Sequence, residues 1–362
     1  MKKRVMSLVC AATMVISSLA VAPTTFAESE TEGGGTLTAS TLSLKLSKDP
    51  SDYKICIYWP APDTYFEDNI QPGYQAVEDM YGVKFDYEIG TEWTQDVENQ
   101  MVEAKAAQGY DKFMIYGADT SGANALYQEL IDEGCTVVNY GGVMNDPQVA
   151  PVTVCGDVYD YSYNATKKMI EEMGGKGKII NVLENLGDVN TLERQKGVEA
   201  AVAEAPDVEI CQTVGDINTE DQGYEKVSNA LAANPDATGI IATGGTASRG
   251  LATAMDDYYK ANPDAQHIFA VATDPSDQVM NGIKNGSIDI GIAQNGYGQG
   301  YIGGLVLLYL SEGWTMKEFG KHIVTGYVFI TTDNIDTFTD DVKNLSIQIA
   351  NDLETKYLNA PE

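Results

Sequence analysis

Histidine and cysteine are scarce in this sequence, and each shortage excludes a group of functions. Only two histidines, His267 and His322, occur among the 362 residues. Both precede predicted strands, and neither has neighbouring ligand residues at the spacing of a metal site. A mechanism that depends on a Ser-His pair or on a His-bound metal therefore has little to work with. The five cysteines are too few and too scattered for a disulfide-rich scaffold, so we expect buried thiols.

Positive charge is also scarce. The chain has 23 Lys and Arg residues against 53 Asp and Glu residues, which gives a formal net charge of −30 at pH 7. A chain this acidic repels phosphate backbones and anionic membrane surfaces, so we expect no nucleic-acid partner and no membrane-surface binding. The hydrophobic content of 43% argues against disorder, and the length suggests about two domains.

Long apolar runs are missing, except at the N-terminus. There, three positive residues at positions 2–4 precede an apolar stretch that ends near residue 22. This pattern, with small residues before a cleavage site after Ala27, predicts a secretory signal peptide over residues 1–27. An uncleaved membrane anchor is the alternative. Residues 28–50 are rich in Ser, Thr and Gly, which predicts a flexible spacer.

From Tyr53 onward, short apolar runs alternate with amphipathic stretches. Lys54–Trp59 has the pattern of a strand and Asn69–Tyr81 has helical spacing, and the same rhythm restarts after Val154. Such alternation predicts parallel sheets covered by helices on both faces. We therefore predict an α/β fold with two doubly wound parallel-sheet units. In sheets of this kind, ligands bind beyond the carboxyl ends of the strands.

The residues that follow the predicted strands combine aromatic rings with groups that bind hydroxyls. The aromatic residues are Trp59, Tyr65, Phe66 and Tyr140, and the polar ones are Asp63, Arg194, Asp274 and Gln294. Rings cover the C–H faces of a sugar, and planar charged or amide groups bind paired hydroxyls. The set predicts a small polyhydroxylated ligand. Trp59 and Phe66 could instead be core residues, although the adjacency of Tyr65 and Phe66 in a Pro-rich loop favours a site.

Four stretches, in order and with matching spacing, resemble the type 1 periplasmic sugar-binding proteins of the ribose-binding kind that serve ABC importers. Asp63–Phe66 is similar to the Asn-Pro-Phe-Phe turn of that family, and Leu192–Gly197 to the stretch whose second Arg holds the sugar. Ala270–Asp274 is similar to the family's V-G-F-D strand end, and Ile292–Asn295 to its I-A-Q crossover. The resemblance covers residues 53–330.

The resemblance implies roles for individual residues. It implies stacking on the sugar by Tyr65 and Phe66, and hydroxyl binding by Arg194, Asp274 and Gln294, with Asp63 beside them. Two positions depart from the family: Tyr140-Gly141 replaces Asp-Arg, and Gly244 replaces Asn. These departures put ribose itself in doubt. They predict that Tyr140 supplies a third stacking face and that a larger ligand uses the space beside Gly141 and Gly244.

The resemblance also implies how the chain forms its two lobes. Three crossovers near residues 156–157, 294–295 and 325–326 would join them. The N-terminal lobe would then comprise residues 51–155 and 296–325, and the C-terminal lobe residues 156–295 and 326–362. A ligand bound between the lobes would close them by hinge bending, because it contacts both lobes only in the closed form.

The implied function is that of a monomeric, non-catalytic protein, exported to the periplasm or the cell surface. It would deliver a small sugar to an ABC permease and would need no cofactor and no metal. A chemosensory receptor and a secreted glycosidase are the alternatives. Gly298–Gly303 matches the dinucleotide motif G-x-G-x-x-G, but it lies in the last βαβ unit and lacks the expected acidic residue. Tight packing at a crossover is the favoured role of these glycines.

Overall fold

The computed structural model describes residues 37–62 and 65–362. The predicted signal peptide and Asp63 lie outside the described residues. In chain order the strands are β1 Ile55–Trp59, β2 Phe85–Ile89, β3 Lys112–Ile115, β4 Thr136–Gly141, β5 Val152–Cys155, β6 Gly177–Val182, β7 Val208–Val214, β8 Gly239–Ala242, β9 Phe269–Thr273, β10 Ile290–Gln294, β11 Thr315–Met316, β12 Lys321–Val324, β13 Tyr327–Ile330 and β14 Leu358–Asn359. The helices are α1 Gln71–Tyr81, α2 Gln95–Ala107, α3 Gly122–Asp132, α4 Val158–Glu172, α5 Val189–Ala203, α6 Glu220–Ala233, α7 Gly245–Ala261, α8 Asp277–Asn285, α9 Gly296–Ser311 and α10 Phe338–Asn351.

The first lobe is built on a six-stranded sheet in the order β12-β5-β4-β3-β1-β2. All of its strand pairs are parallel. Every residue of β1 is buried, because helices cover both faces of a parallel sheet and leave neither face to water. Helices α1 and α9 pack together, and their apolar side chains share a core with those of β1.

The second lobe repeats this plan with a sheet in the order β13-β10-β9-β8-β6-β7. Its strands are parallel except β13, which pairs antiparallel with β10. The helix pairs α4–α5 and α6–α7 pack closely in this lobe. Two doubly wound lobes confirm the predicted fold class.

Within residues 37–362, apart from positions 63 and 64, the chain passes between the two sheets at three places. It leaves the first sheet after β5, returns to the first lobe between β10 and α9, and passes from β12 to β13. At the last of these places, between β12 and β13, Gly326 adopts a φ of +76°, in the left-handed region that glycine enters without strain. The chain turns there, and its two halves join different sheets.

Helix α9 carries the glycine motif and is buried along nearly its whole length. A Cβ added to Gly300 would lie 2.1 Å from the carbonyl oxygen of Ile70, and one added to Gly73 would lie 2.1 Å from that of Tyr297. The glycines therefore let α1 and α9 approach at backbone distance.

Within the described ranges, the helices all lack the combination of length and apolar character that crossing a bilayer requires.

The ends of the described chain both pack on the first lobe, which differs from the predicted domain boundaries. Leu37 and Leu44, inside the predicted spacer, are buried in the core that contains β1. Leu353 and Leu358 join the same core, and β14 pairs with β11. The backbone N–H of Ser43 also donates to the Glu354 carboxylate at 2.7 Å. Apolar side chains at widely spaced positions thus tie both ends to one lobe.

Candidate functional site

A cleft of about 910 Å³ lies beyond the carboxyl ends of the strands of both sheets. Such a volume is at the upper end of the range for small-molecule sites. Side chains that follow β1 and β3 line one wall of the cleft. Side chains that follow β6, β9 and β10 line the opposite wall. The cleft thus has a first-lobe wall and a second-lobe wall.

The first-lobe wall carries a cluster of aromatic rings: Trp59 at the end of β1, Tyr65, Trp93 in the loop before α2, and Tyr116 directly after β3. Polar side chains, Asp68 and Asp119 among them, line the same wall. The ring centroid of Trp59 lies 4.8 Å from that of Tyr116 and 6.0 Å from that of Trp93, both in edge-to-face geometry. Pairs of this kind stabilise each other beyond the burial of their surface. The rings therefore present a rigid apolar surface.

Phe66 and Tyr140 form a second layer behind this wall, and the structure does not place them in the lining. The Phe66 ring is buried, 5.4 Å from the ring of Trp59. Tyr140 is also buried, and its hydroxyl donates to the carbonyl oxygen of Tyr58 at 3.0 Å. Its ring packs edge-on against Tyr116 at 5.7 Å. Both side chains point into the core beneath the sheet edge, so they support the wall instead of providing a stacking face.

The second-lobe wall is polar and is organised around Arg194 on α5. The Arg194 Nε donates to the hydroxyl of Tyr161 at 2.5 Å, and its Nη1 lies 3.7 Å from a carboxylate oxygen of Glu184. Only 11% of the Arg194 side chain is exposed. The contacts with Tyr161 and Glu184 fix the orientation of the guanidinium, so its remaining N–H groups point in a defined direction. This arrangement suits bidentate binding of paired hydroxyls.

Asp274 and Gln294 lie beside this arginine at the ends of β9 and β10. The Gln294 side-chain amide donates to the Asp274 carboxylate at 2.9 Å. Asp274 has a φ of +63°, a left-handed conformation that Asp tolerates better than most residues. Burial raises the pKa of Asp274 to about 6, opposed by the hydrogen bond from Gln294 and by the nearby Arg194. The carboxylate is thus held at the cleft with one of its oxygens oriented by an amide.

The space predicted beside Gly141 and Gly244 is occupied. A Cβ on Gly141 would lie 2.0 Å from the Tyr116 ring, and one on Gly244 would lie 2.2 Å from the carboxyl carbon of Glu184. The expectation of room for a larger ligand at these positions is therefore wrong. Side chains from other strand ends fill the volume that the two glycines leave.

Tyr116, Trp93 and Glu184 are cleft residues that the sequence reasoning did not select as site residues. Tyr116 also reaches across the cleft, where its hydroxyl accepts a hydrogen bond from the Asn190 side chain at 3.4 Å. Tyr116 is the last residue of a predicted strand and Glu184 directly follows another, so their positions carried a signal. The glycines at positions 141 and 244, where the family has larger side chains, were a second signal. In a packed site, other side chains must fill the volume that such a replacement leaves.

The two histidines take part in no metal-binding cluster in the described part of the chain. His267 lies 2.8 Å from the Asp289 carboxylate, and His322 lies 2.7 Å from the Gln148 side chain. Both pairs lie outside the cleft lining. The four cysteines of the described residues are unpaired.

Comparison with known proteins places this cleft in a family context. A sequence model described as "Periplasmic binding protein domain" matches residues 55–313. The chain is 26% identical over 145 residues to a D-apiose import binding protein from Actinobacillus succinogenes, covering 40% of this chain and 44% of that relative. It thus spans less than half the length of that curated relative. It is 21% identical over 250 residues to a xylitol-binding protein from Mycolicibacterium smegmatis, covering 68% and 69% of the two chains.

The fold also matches solved structures. One is an ABC transporter solute-binding protein from Burkholderia graminis in complex with D-arabinose, with a TM-score of 0.72 and 20% identity. The match covers 80% of this chain and 99% of that one. At this level of identity the likeness shows the fold. Because the domain model covers most of the sequence, the chain belongs to the periplasmic binding protein family.

Proposed function

We propose that this protein is an exported solute-binding protein that captures a small sugar between its two lobes and delivers it to an ABC import permease. The observation that carries the proposal is the pairing of an aromatic wall with a polar wall across one cleft. Aromatic rings and oriented hydroxyl-binding groups are the two elements that sugar recognition needs. The names of the apiose-, xylitol- and arabinose-binding relatives support the same ligand class.

The binding mechanism follows from the two walls. The rings of Trp59 and Tyr65 cover the C–H face of the sugar, while Arg194, Asp274 and Gln294 bind its hydroxyls. Asp63 stays a prediction, and Phe66 and Tyr140 act by holding the rings in place. A ligand that contacts both walls favours the closed arrangement of the lobes over the open one. The permease then recognises that closed shape.

We also infer that the protein is monomeric and does not transform its ligand. The relatives found are binding proteins. In the cleft, two carboxylates already accept backbone hydrogen bonds: Glu184 from the N–H of Thr246 at 2.6 Å, and Asp188 from that of Thr191 at 2.8 Å. These groups serve as structural acceptors at helix starts. Unchanged sugar after long incubation with the protein is the expected result.

A thermal-shift screen tests the ligand class. The panel contains pentoses, hexoses, sugar alcohols, disaccharides and nucleosides, because a ligand bound only by the folded state raises Tm. We expect a saturable shift with at least one monosaccharide or alditol, confirmed by calorimetric titration. A shift with nucleosides alone, or with none of the compounds, would contradict the proposal.

A further inference from the structure

Negative charge predominates in the cleft lining of the described residues. Five carboxylates line it, against two guanidiniums, those of Arg194 and Arg249. Both arginines have acidic neighbours: Arg194 lies 3.7 Å from Glu184, and the Nε of Arg249 lies 3.6 Å from Glu220. A ligand that enters the cleft therefore meets cations whose charge is already balanced by the protein.

Glu184 occupies the place where an anionic ligand group would otherwise be most stable. Its Oε1 accepts hydrogen bonds from the backbone N–H groups of Thr246 at 2.6 Å and Ala247 at 3.3 Å, in the first turn of α7. These N–H groups have no partner within the helix, and they lie at the positive end of its dipole. The N-cap residue of α7, Gly244, has no side chain to fill this role, and the Glu184 carboxyl carbon lies 2.2 Å from where a Cβ on Gly244 would be.

The same carboxylate also faces Arg194. Two features of this wall attract negative charge, the N-terminus of α7 and the Arg194 guanidinium, and Glu184 contacts both of them. A sugar carboxylate or phosphate placed against Arg194 would be held close to a fixed anion of the same sign. Like charges brought together in a partly buried site cost several kcal/mol, which corresponds to about a 100-fold loss of affinity or more.

We propose that Glu184 is a specificity-determining residue that excludes anionic sugars, so that the ligand of this cleft is an uncharged sugar or polyol. This inference rests on the proposed function, and it narrows the ligand class. The inner carboxylates do not require a cationic ligand, because protein donors already satisfy them. Glu184 accepts hydrogen bonds from two backbone N–H groups and faces the Arg194 guanidinium. Asp188 accepts from the backbone N–H of Thr191, and Asp274 accepts from the side-chain amide of Gln294.

The test compares neutral ligands with the acids that carry a carboxylate in place of one CH2OH group. The probes are D-galactose with D-galacturonate, D-glucose with D-glucuronate and xylitol with D-xylonate, titrated calorimetrically at pH 7.5 and constant ionic strength. The variants are Glu184→Ala and Glu184→Gln, and the second keeps the shape and an oxygen acceptor for Thr246. Glu193→Ala is the matched control. It removes one carboxylate from α5, which pairs with Lys196 and does not line the cleft.

For the wild-type protein we expect the neutral member of a pair to bind at least about 100-fold more tightly than the acid. Glu184→Ala should reduce that preference to about tenfold or less, by gaining affinity for the acid, and Glu184→Gln should give an intermediate value. Glu193→Ala should leave the preference unchanged. If Glu184→Ala does not fold, as judged from Tm, the Glu184→Gln result decides.

Three results would overturn the inference. Wild-type protein that binds the acid as tightly as the neutral sugar would refute the selectivity while leaving sugar binding intact. An unchanged preference in both Glu184 variants, or the same change in Glu193→Ala, would remove Glu184 as its cause. Wild-type protein that binds neither member of any pair, nor any other sugar or alditol, would refute the proposed function and this inference with it.

Discussion

The two walls of the cleft differ in what holds them in place. In the first-lobe wall, Trp59, Trp93 and Tyr116 pack on one another and on a buried second layer, so the geometry comes from close packing of rings. In the second-lobe wall, Arg194 and Asp274 are positioned by hydrogen bonds and an ion pair. Among the described residues, the second-lobe lining contains no aromatic ring. The first-lobe wall thus supplies the aromatic contact area, and the second-lobe wall supplies both guanidiniums and the hydrogen-bonded polar groups around them.

The two walls should therefore respond differently to substitution. Removing a ring from a packed cluster leaves a cavity and costs folding free energy as well as binding. Removing a charged group from the second-lobe wall costs binding, while the fold loses only the partners of that group.

Trp59→Ala should lower both stability and binding. Trp59 is 4% exposed and contacts Phe66 and Tyr116 as well as the cleft. Its loss should reduce the free energy of unfolding by about 3–5 kcal/mol. Trp93→Ala is the matched control on the same wall, because Trp93 is 48% exposed and should cost little stability. Urea unfolding and sugar titration measure the two effects. Equal destabilisation by both variants would contradict a wall held by packing at Trp59.

Arg194→Ala should reduce sugar affinity by at least about 100-fold, since it removes charge-assisted hydrogen bonds that contribute about 1.5–3 kcal/mol each. Arg249→Ala is the control. Its guanidinium lies at the cleft but is 38% exposed and pairs with Glu220, so we expect less than about a tenfold loss. Calorimetric Kd values and Tm check both variants. Comparable losses of affinity in the two would show that cleft charge in general, and not Arg194, holds the ligand.

Glu98 offers a buried acid behind the first-lobe wall. Its Oε2 accepts from the backbone N–H of Ala118 at 2.5 Å, and Ala118 in turn accepts from the Trp93 indole. Burial raises the pKa of Glu98 from 4.5 to about 7. In the unfolded chain this carboxyl ionises first, so the free energy of unfolding should fall as pH rises from 4.5 to 7, by at most about 3 kcal/mol.

Glu98→Gln mimics the protonated acid, so it should remove this contribution to the pH dependence and stabilise the protein above pH 7. Sugar affinity at a fixed pH should change little, since Glu98 does not line the cleft. Urea unfolding between pH 4.5 and 8 measures the first effect and calorimetry the second. A variant with the same stability profile as the wild type would show that Glu98 is not the group responsible.

Asp274 is the corresponding acid in the second-lobe wall, and its titration should affect binding. When ionised, both of its oxygens accept hydrogen bonds, and those from sugar hydroxyls are charge-assisted; protonation removes the charge and turns one oxygen into a donor. Its pKa of about 6 places this change between pH 5 and 7. Affinity should therefore be constant above pH 7 and fall by up to about tenfold per pH unit below 6. Asp274→Asn should bind more weakly and with a flat profile. A wild-type affinity that does not vary between pH 5 and 7 would count against this role.

Much of the site could be predicted because it lies at strand ends. The order of strands and helices identifies which residues follow each strand, and the topology of parallel sheets brings these positions to one edge. Trp59, Tyr65, Arg194, Asp274 and Gln294 lie in the cleft lining for this reason. Phe66 and Tyr140 could not be assigned to the lining or the core from sequence, because one turn of backbone decides which way an aromatic ring points.

The sequence alone determined the family, the two-lobe α/β fold and the strand ends that form the cleft, since these depend on periodicity and on local motifs. The tertiary structure alone decided which side chains fill the space beside Gly141 and Gly244, because Tyr116 and Glu184 are distant along the chain from the glycines they pack against. It also decided that residues near 37 and near 358 belong to the first lobe. Contacts between distant segments depend on packing, which periodicity along the chain does not encode.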